Sequence, residues 1–145
     1  NNPENSAAIT SWRMEKFDTI GLEFGVQSSW IVDPINEVFG LNEAYYRAYS
    51  LDAQPTTFFI YVSDTMDYVS MAENWTEDYS DVSIAGGNGK RFVIDWEDGT
   101  WSDMVTFTSD NGLTYRLEFW GYDQELATTL LNDLIPLIAT YPISE

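Results

Sequence analysis

The sequence predicts an α+β fold: an α/β/α sandwich around a six- to seven-stranded, mainly antiparallel sheet. Three observations predict it. Apolar and polar residues alternate over short runs, most clearly where Leu113, Tyr115, Leu117 and Phe119 interleave with Thr114, Arg116, Glu118 and Trp120. Two other segments carry apolar residues at helical spacing: Tyr68, Ala72, Trp75 and Tyr79, then Leu126, Leu130, Leu134, Ile138 and Tyr141. Short glycine turns at Asp98-Gly99 and Asp110-Asn111-Gly112 separate the later strands and make them an antiparallel meander.

The elements follow in order. Residues 1–8 are polar and read as a disordered leader or linker, so a single domain is expected over 9–145. Trp12, Met14 and Lys16 alternate with Arg13, Glu15 and Phe17; Leu22, Phe24 and Val26 alternate with Glu23, Gly25 and Gln27. The two runs form a first hairpin around Asp18-Thr19-Ile20-Gly21. Asp33-Pro34 suits the cap and first position of a short helix. Strands are expected over 45–51 and 56–62, with Gln54-Pro55 at the turn between them. Residues 58–62 are apolar on both faces, which marks a central strand covered on both sides.

A helix is expected over 65–79, capped by Asp64 or Thr65. Its stripe buries Trp75, which argues against Asn74-Trp75-Thr76 as a glycosylation acceptor. A short strand at 82–85 precedes a turn at Gly86-Gly87-Asn88-Gly89. Strands at 91–97, 101–108 and 113–120 complete the sheet. The last helix, over 123–141, starts at Asp123 and is interrupted by Pro136, whose missing N–H breaks the hydrogen-bond ladder.

Composition narrows the chemistry. The chain has 145 residues, enough for one buried core without disulfides or metals. It holds 6 Lys and Arg against 24 Asp and Glu, a net charge of −18. That field repels phosphate backbones and anionic headgroups, so nucleic acid is not an expected partner. It attracts cations and basic polypeptides. Neither Cys nor His is present, which excludes thiol nucleophiles, His-based triads and the usual zinc ligands. No run approaches the ~20 apolar residues of a membrane span, so direct insertion of this domain is not expected. The polar start without Met reads as a trimmed mature domain.

The stretch Gly21-Leu22-Glu23-Phe24-Gly25-Val26-Gln27-Ser28-Ser29-Trp30, followed by the strand at 58–62, the helix, the meander through Asn111-Gly112 and a final helix, resembles the Mog1/PsbP-like fold. The chain departs from that pattern in two places. Its approach to Trp30 lacks the usual Pro, and residues 28–43 are longer than usual. The resemblance implies binding rather than catalysis, with no cofactor. It spans photosystem II accessory proteins, Ran-binding proteins and bacterial cell-surface lipoproteins, and this chain looks most like the last. The resemblance therefore implies an extracellular or cell-surface position, on a tethered Gram-positive lipoprotein, and an unidentified protein or glycan partner.

Three constellations merit attention. Trp101 and Trp120 are candidate binding residues if either lies outside the core. Asp95, Glu97, Asp98 and Asp103 offer oxygen ligands for a weak Ca²⁺ site, although Gly99 and the lack of a closing Glu depart from EF-hand spacing. Carboxylates beside Trp96 and Trp101 would also suit a glycoside hydrolase if they faced each other across a cleft. A non-catalytic accessory or binding domain is the main expectation.

Overall fold

The computed structural model describes residues 11–33 and 44–143. The expected leader at 1–8 and the expected helix starting at Asp33-Pro34 lie outside them, apart from Asp33 itself. The described chain forms two antiparallel sheets and two helices. The larger sheet has seven strands: β3 (Ile31–Val32), β4 (Tyr46–Tyr49), β5 (Thr57–Ser63), β6 (Tyr79–Ile84), β7 (Gly87–Asp95), β8 (Trp101–Thr108) and β9 (Thr114–Gly121), in the order β3-β4-β5-β9-β8-β7-β6. The smaller sheet is β1-β2-β10, with β1 at Trp12–Phe17, β2 at Leu22–Gln27 and β10 at Ala139–Thr140. Helices α1 (Tyr68–Glu73) and α2 (Gln124–Leu134) complete the fold.

Alternation along each strand decides which face is core. Phe58, Ile60 and Val62 of β5, Val105 and Phe107 of β8, and Tyr115, Leu117 and Phe119 of β9 all point to one side of the large sheet. There they meet Leu22, Phe24 and Val26 of the small sheet and Leu130, Leu131 and Leu134 of α2. The aromatic seam is tight: Phe58 stacks on Phe119 at 4.8 Å, and Phe24 leans on Phe58 at 6.1 Å. The opposite face holds a smaller cluster of Phe92, Ile94 and Met104, covered by Ala72 of α1. Helices therefore lie on both faces, as expected for the sandwich.

The first hairpin departs from expectation in its partner. It pairs with β10 rather than joining the large sheet, Ala139 lying opposite Glu23 and Thr140 opposite Leu22. Pro136 makes this possible. Helix α2 stops at Leu134 rather than 141, a single 3-10 turn spans Ile135–Leu137, and the chain emerges extended at Ile138. Asp123 is the N-cap as expected, accepting from the Leu126 N–H at 3.0 Å.

The expected helix over 65–79 is the largest correction. It runs only from Tyr68 to Glu73, capped by Asp67 rather than Asp64 or Thr65. The stripe of Tyr68, Ala72, Trp75 and Tyr79 satisfies a helix, but sheet pairing competes and wins beyond Ala72. Thr76 Oγ1 donates to the Val93 carbonyl at 2.9 Å, and Tyr79 pairs with Phe92 as the first residue of β6. Strand β6 therefore starts before the expected 82. Trp75 is 39% exposed, so the burial argument against glycosylation at Asn74 no longer applies.

The turn after β6 is also shorter than expected. Only Ala85 and Gly86 form it, and Gly87 to Gly89 already belong to β7. Both turn residues have positive φ, 52° and 75°, the signature of a two-residue type I′ turn. Ala85 pays for its Cβ there. Ala85→Asn should stabilise the fold by about 1 kcal/mol, raising the melting midpoint by about 3 °C. A midpoint that stays or falls would contradict this turn geometry.

Candidate functional site

Among the described residues, the face opposite the main core is only partly covered. Helix α1 is six residues long and ends at Glu73. Beyond it the large sheet presents Phe59 and Tyr61 from β5, Trp120 from β9, and Trp96 just after β7, all half-buried. Trp75 follows α1, and Tyr122 follows β9 at 46% exposure. The rings meet in three pairs: Phe59 with Tyr61 at 6.0 Å, Trp75 with Trp96 at 5.7 Å, and Trp120 with Tyr122 at 5.8 Å.

A polar chain runs under these rings. Strand register sets Tyr61 beside Arg116 and Phe59 beside Glu118. The Arg116 guanidinium lies 4.3 Å from the Tyr61 ring centre and 4.9 Å from that of Trp75. Its Nε donates to Glu118 Oε1 at 3.0 Å, and Nη2 donates to the same oxygen. Ser102 Oγ donates to Glu118 Oε2, and Trp96 Nε1 donates to Ser102 Oγ at 2.8 Å. The Arg116 and Glu118 side chains are 10% and 5% exposed. A buried carboxylate is thus held by a cation and a hydroxyl while two rings shield the cation from water.

Burial keeps the Tyr61 and Tyr68 phenols neutral. Burial, then the nearby Glu118 charge, raises the Tyr61 pKa above its ordinary value. Burial pushes Tyr68 up to about 12.

Trp75 owes its position to α1 and so to the Asp67 cap. Asp67 accepts from Ser70 N–H at 3.1 Å and from Ser70 Oγ at 2.8 Å. These bonds, the backbone one foremost, hold its carboxyl below the usual range. Asp67→Ala should cost about 1 kcal/mol, toward the low end of cap values because the site is exposed. A lowered folded pKa means the contribution is complete above the unfolded value near pH ~4 and fades as pH falls through the folded value. Melting of both proteins across the acid range should show their difference closing only at the acid end. A constant difference would contradict the role given to the carboxylate.

The two candidate tryptophans separate. Trp120 lies on the open face and Trp101 on the other, and both are half-buried. The four candidate metal ligands also disperse. Asp103 is 1% exposed and takes both carboxylate bonds from Arg91, at 3.0 and 2.8 Å. Asp95 accepts from Glu97 N–H and Asp98 from Thr100 N–H, each shaping the β7–β8 turn. Among the described residues no three acidic side chains converge in a way that could hold a metal ion. Sequence reasoning missed Trp75, Trp96 and the Arg116–Glu118 pair as one site. The available signal was the strand apolar on both faces at 58–62, whose neighbour must also be covered.

A separate cleft of about 430 Å³ opens at the other end of the sheet, between the Ala85-Gly86 turn, Phe107, Asp110 and Tyr141. It has a mixed polar and apolar wall and no ion pair across it among the described residues.

No family model matches the chain, and no curated protein matches it in sequence. In fold it is similar to the cyanobacterial PsbP protein (CyanoP) of Synechocystis sp. PCC 6803, solved in solution. The TM-score is 0.64 at 10% identity, covering 92% of this chain and 94% of that one. The fold is therefore PsbP-like, as the resemblance implied.

Proposed function

We propose that this chain is a non-catalytic accessory or binding domain that works outside the cell or at its surface, with the open aromatic face as its contact surface. The observation that carries the reading is the exposed Trp75 beside Trp96 on a sheet face that α1 leaves uncovered. Monomeric domains seldom leave large rings grouped in water unless a partner covers them. Three carboxylates of this region are spent on structure: Glu118 on Arg116 and Ser102, Asp95 and Asp98 on a turn. A position on a tethered surface lipoprotein agrees with the acidic, cysteine-free composition.

A mixed peptide and glycan array tests this reading. Wild type should retain a subset of ligands that the Trp75→Ala, Trp120→Ala double variant loses, and mass spectrometry should recover those ligands unchanged. Retention that ignores both substitutions would remove the contact surface. Cleaved ligand would make the protein an enzyme.

A further inference from the structure

We infer that the open face around Trp75 and Trp96 receives a cationic polypeptide segment of a partner protein, whose arginine or lysine side chains stack on these rings. This rests on the binding-domain reading above. The face already holds one guanidinium in that manner: Arg116 sits against Tyr61 and Trp75 and is charge-matched by Glu118. Its surroundings favour more cations. The other cations of this face are each neutralised, Arg47 by Asp33 and Lys90 by Asp81.

The exposed carboxylates that flank these rings in the chain are less closely matched, Glu73 acting on Lys90 without a direct ion pair. Glu73 and Glu77 stand two residues either side of Trp75, and Glu97 follows Trp96. None of the three forms an ion pair among the described residues. Ring faces attract a desolvated cation through their quadrupole, and flanking carboxylates supply the opposite charge. The net charge of −18 speeds encounter with a basic partner and opposes an acidic one.

Calorimetric titration with a short arginine-rich peptide tests the inference. An acidic peptide of equal length and a neutral oligosaccharide run beside it. The arginine peptide should bind and the acidic one should not. Trp75→Ala should weaken binding about ten-fold, while Trp75→Phe, which keeps a ring, should lose much less. The Glu73→Gln, Glu77→Gln, Glu97→Gln triple variant changes only exposed side chains and should also weaken binding.

Failure to bind the arginine peptide overturns the inference. So does equal binding by Trp75→Ala, or an equal loss when charge is removed elsewhere by Asp110→Asn at the β8–β9 turn and Asp133→Asn on α2, which packs on the opposite side of the sheet. An oligosaccharide that binds through Trp75 while the arginine peptide does not also overturns it, and the binding-domain reading then stands.

Discussion

Replacing Glu118 with alanine should cost about 3–5 kcal/mol and lower the melting midpoint by about 10 °C. The cost comes from what is left behind. Glu118 is 4% exposed and neutralises Arg116, which is itself buried between Tyr61 and Trp75. Without the carboxylate, the guanidinium is a desolvated, uncompensated charge, and Ser102 loses its acceptor. The pair itself adds little net stability, because both groups were taken out of water to form it. An Arg116→Met, Glu118→Leu double variant should therefore recover most of the loss. Equilibrium unfolding of the single and double variants checks this. A double variant as unstable as Glu118→Ala alone would mean that the network's geometry, not the charge balance, holds this face together.

Gly21→Ala should cost about 2–4 kcal/mol and act first on the C-terminal strand. Gly21 has φ of 56°, where a Cβ is strained. A Cβ there would also stand 2.3 Å from the Tyr141 carbonyl oxygen and 2.7 Å from Asn111 Nδ2. Both atoms hold β10 in place: Tyr141 N–H donates to the Gly21 carbonyl at 3.0 Å, and Asn111 Nδ2 donates to the Tyr141 carbonyl at 3.0 Å. The backbone cannot yield without releasing them. Gly99→Ala is the control, with φ of 94° and nothing within 4 Å of the added carbon. It carries the strain without the clash. Amide exchange at Tyr141 should accelerate in Gly21→Ala and not in Gly99→Ala. Equal behaviour would show that β10 does not depend on this contact.

Local chemistry was legible in the sequence where one signal acted alone. Strand β8 falls at 101–108 as alternation and the flanking glycine turns require. Asp123 caps α2, and the helix breaks at Pro136 where an interruption was expected, although it does not resume to 141. Legibility failed where two signals competed or where a partner lay far along the chain. Residues 74–79 satisfy a helical stripe, but the ladder to Phe92 takes Tyr79, and only the assembled sheet supplies that ladder. Strand β10 is two residues long, and pairing with β2, not its own pattern, defines it.

The candidate site was hidden for a related reason. Arg116 and Glu118 occupy the polar phase of an alternating strand, which reads as a solvated face. They are buried because Tyr61, Trp75 and Trp96 converge from three separate segments to cover them. Spacing within one strand cannot report that convergence. A helix over 65–79 would carry Trp75 into the core; the shorter helix leaves it 39% exposed.

We place the contact with the partner on this open face. The six indole N–H groups report on it directly by NMR. On titration with the arginine-rich peptide, the Trp75 and Trp96 resonances should shift together, with Trp120 following. Those of Trp12 and Trp30, which pack on the main core, should stay fixed. Shifts confined to Trp12, Trp30 or Trp101, or equal small shifts at all six, would contradict the account and move the search to another surface.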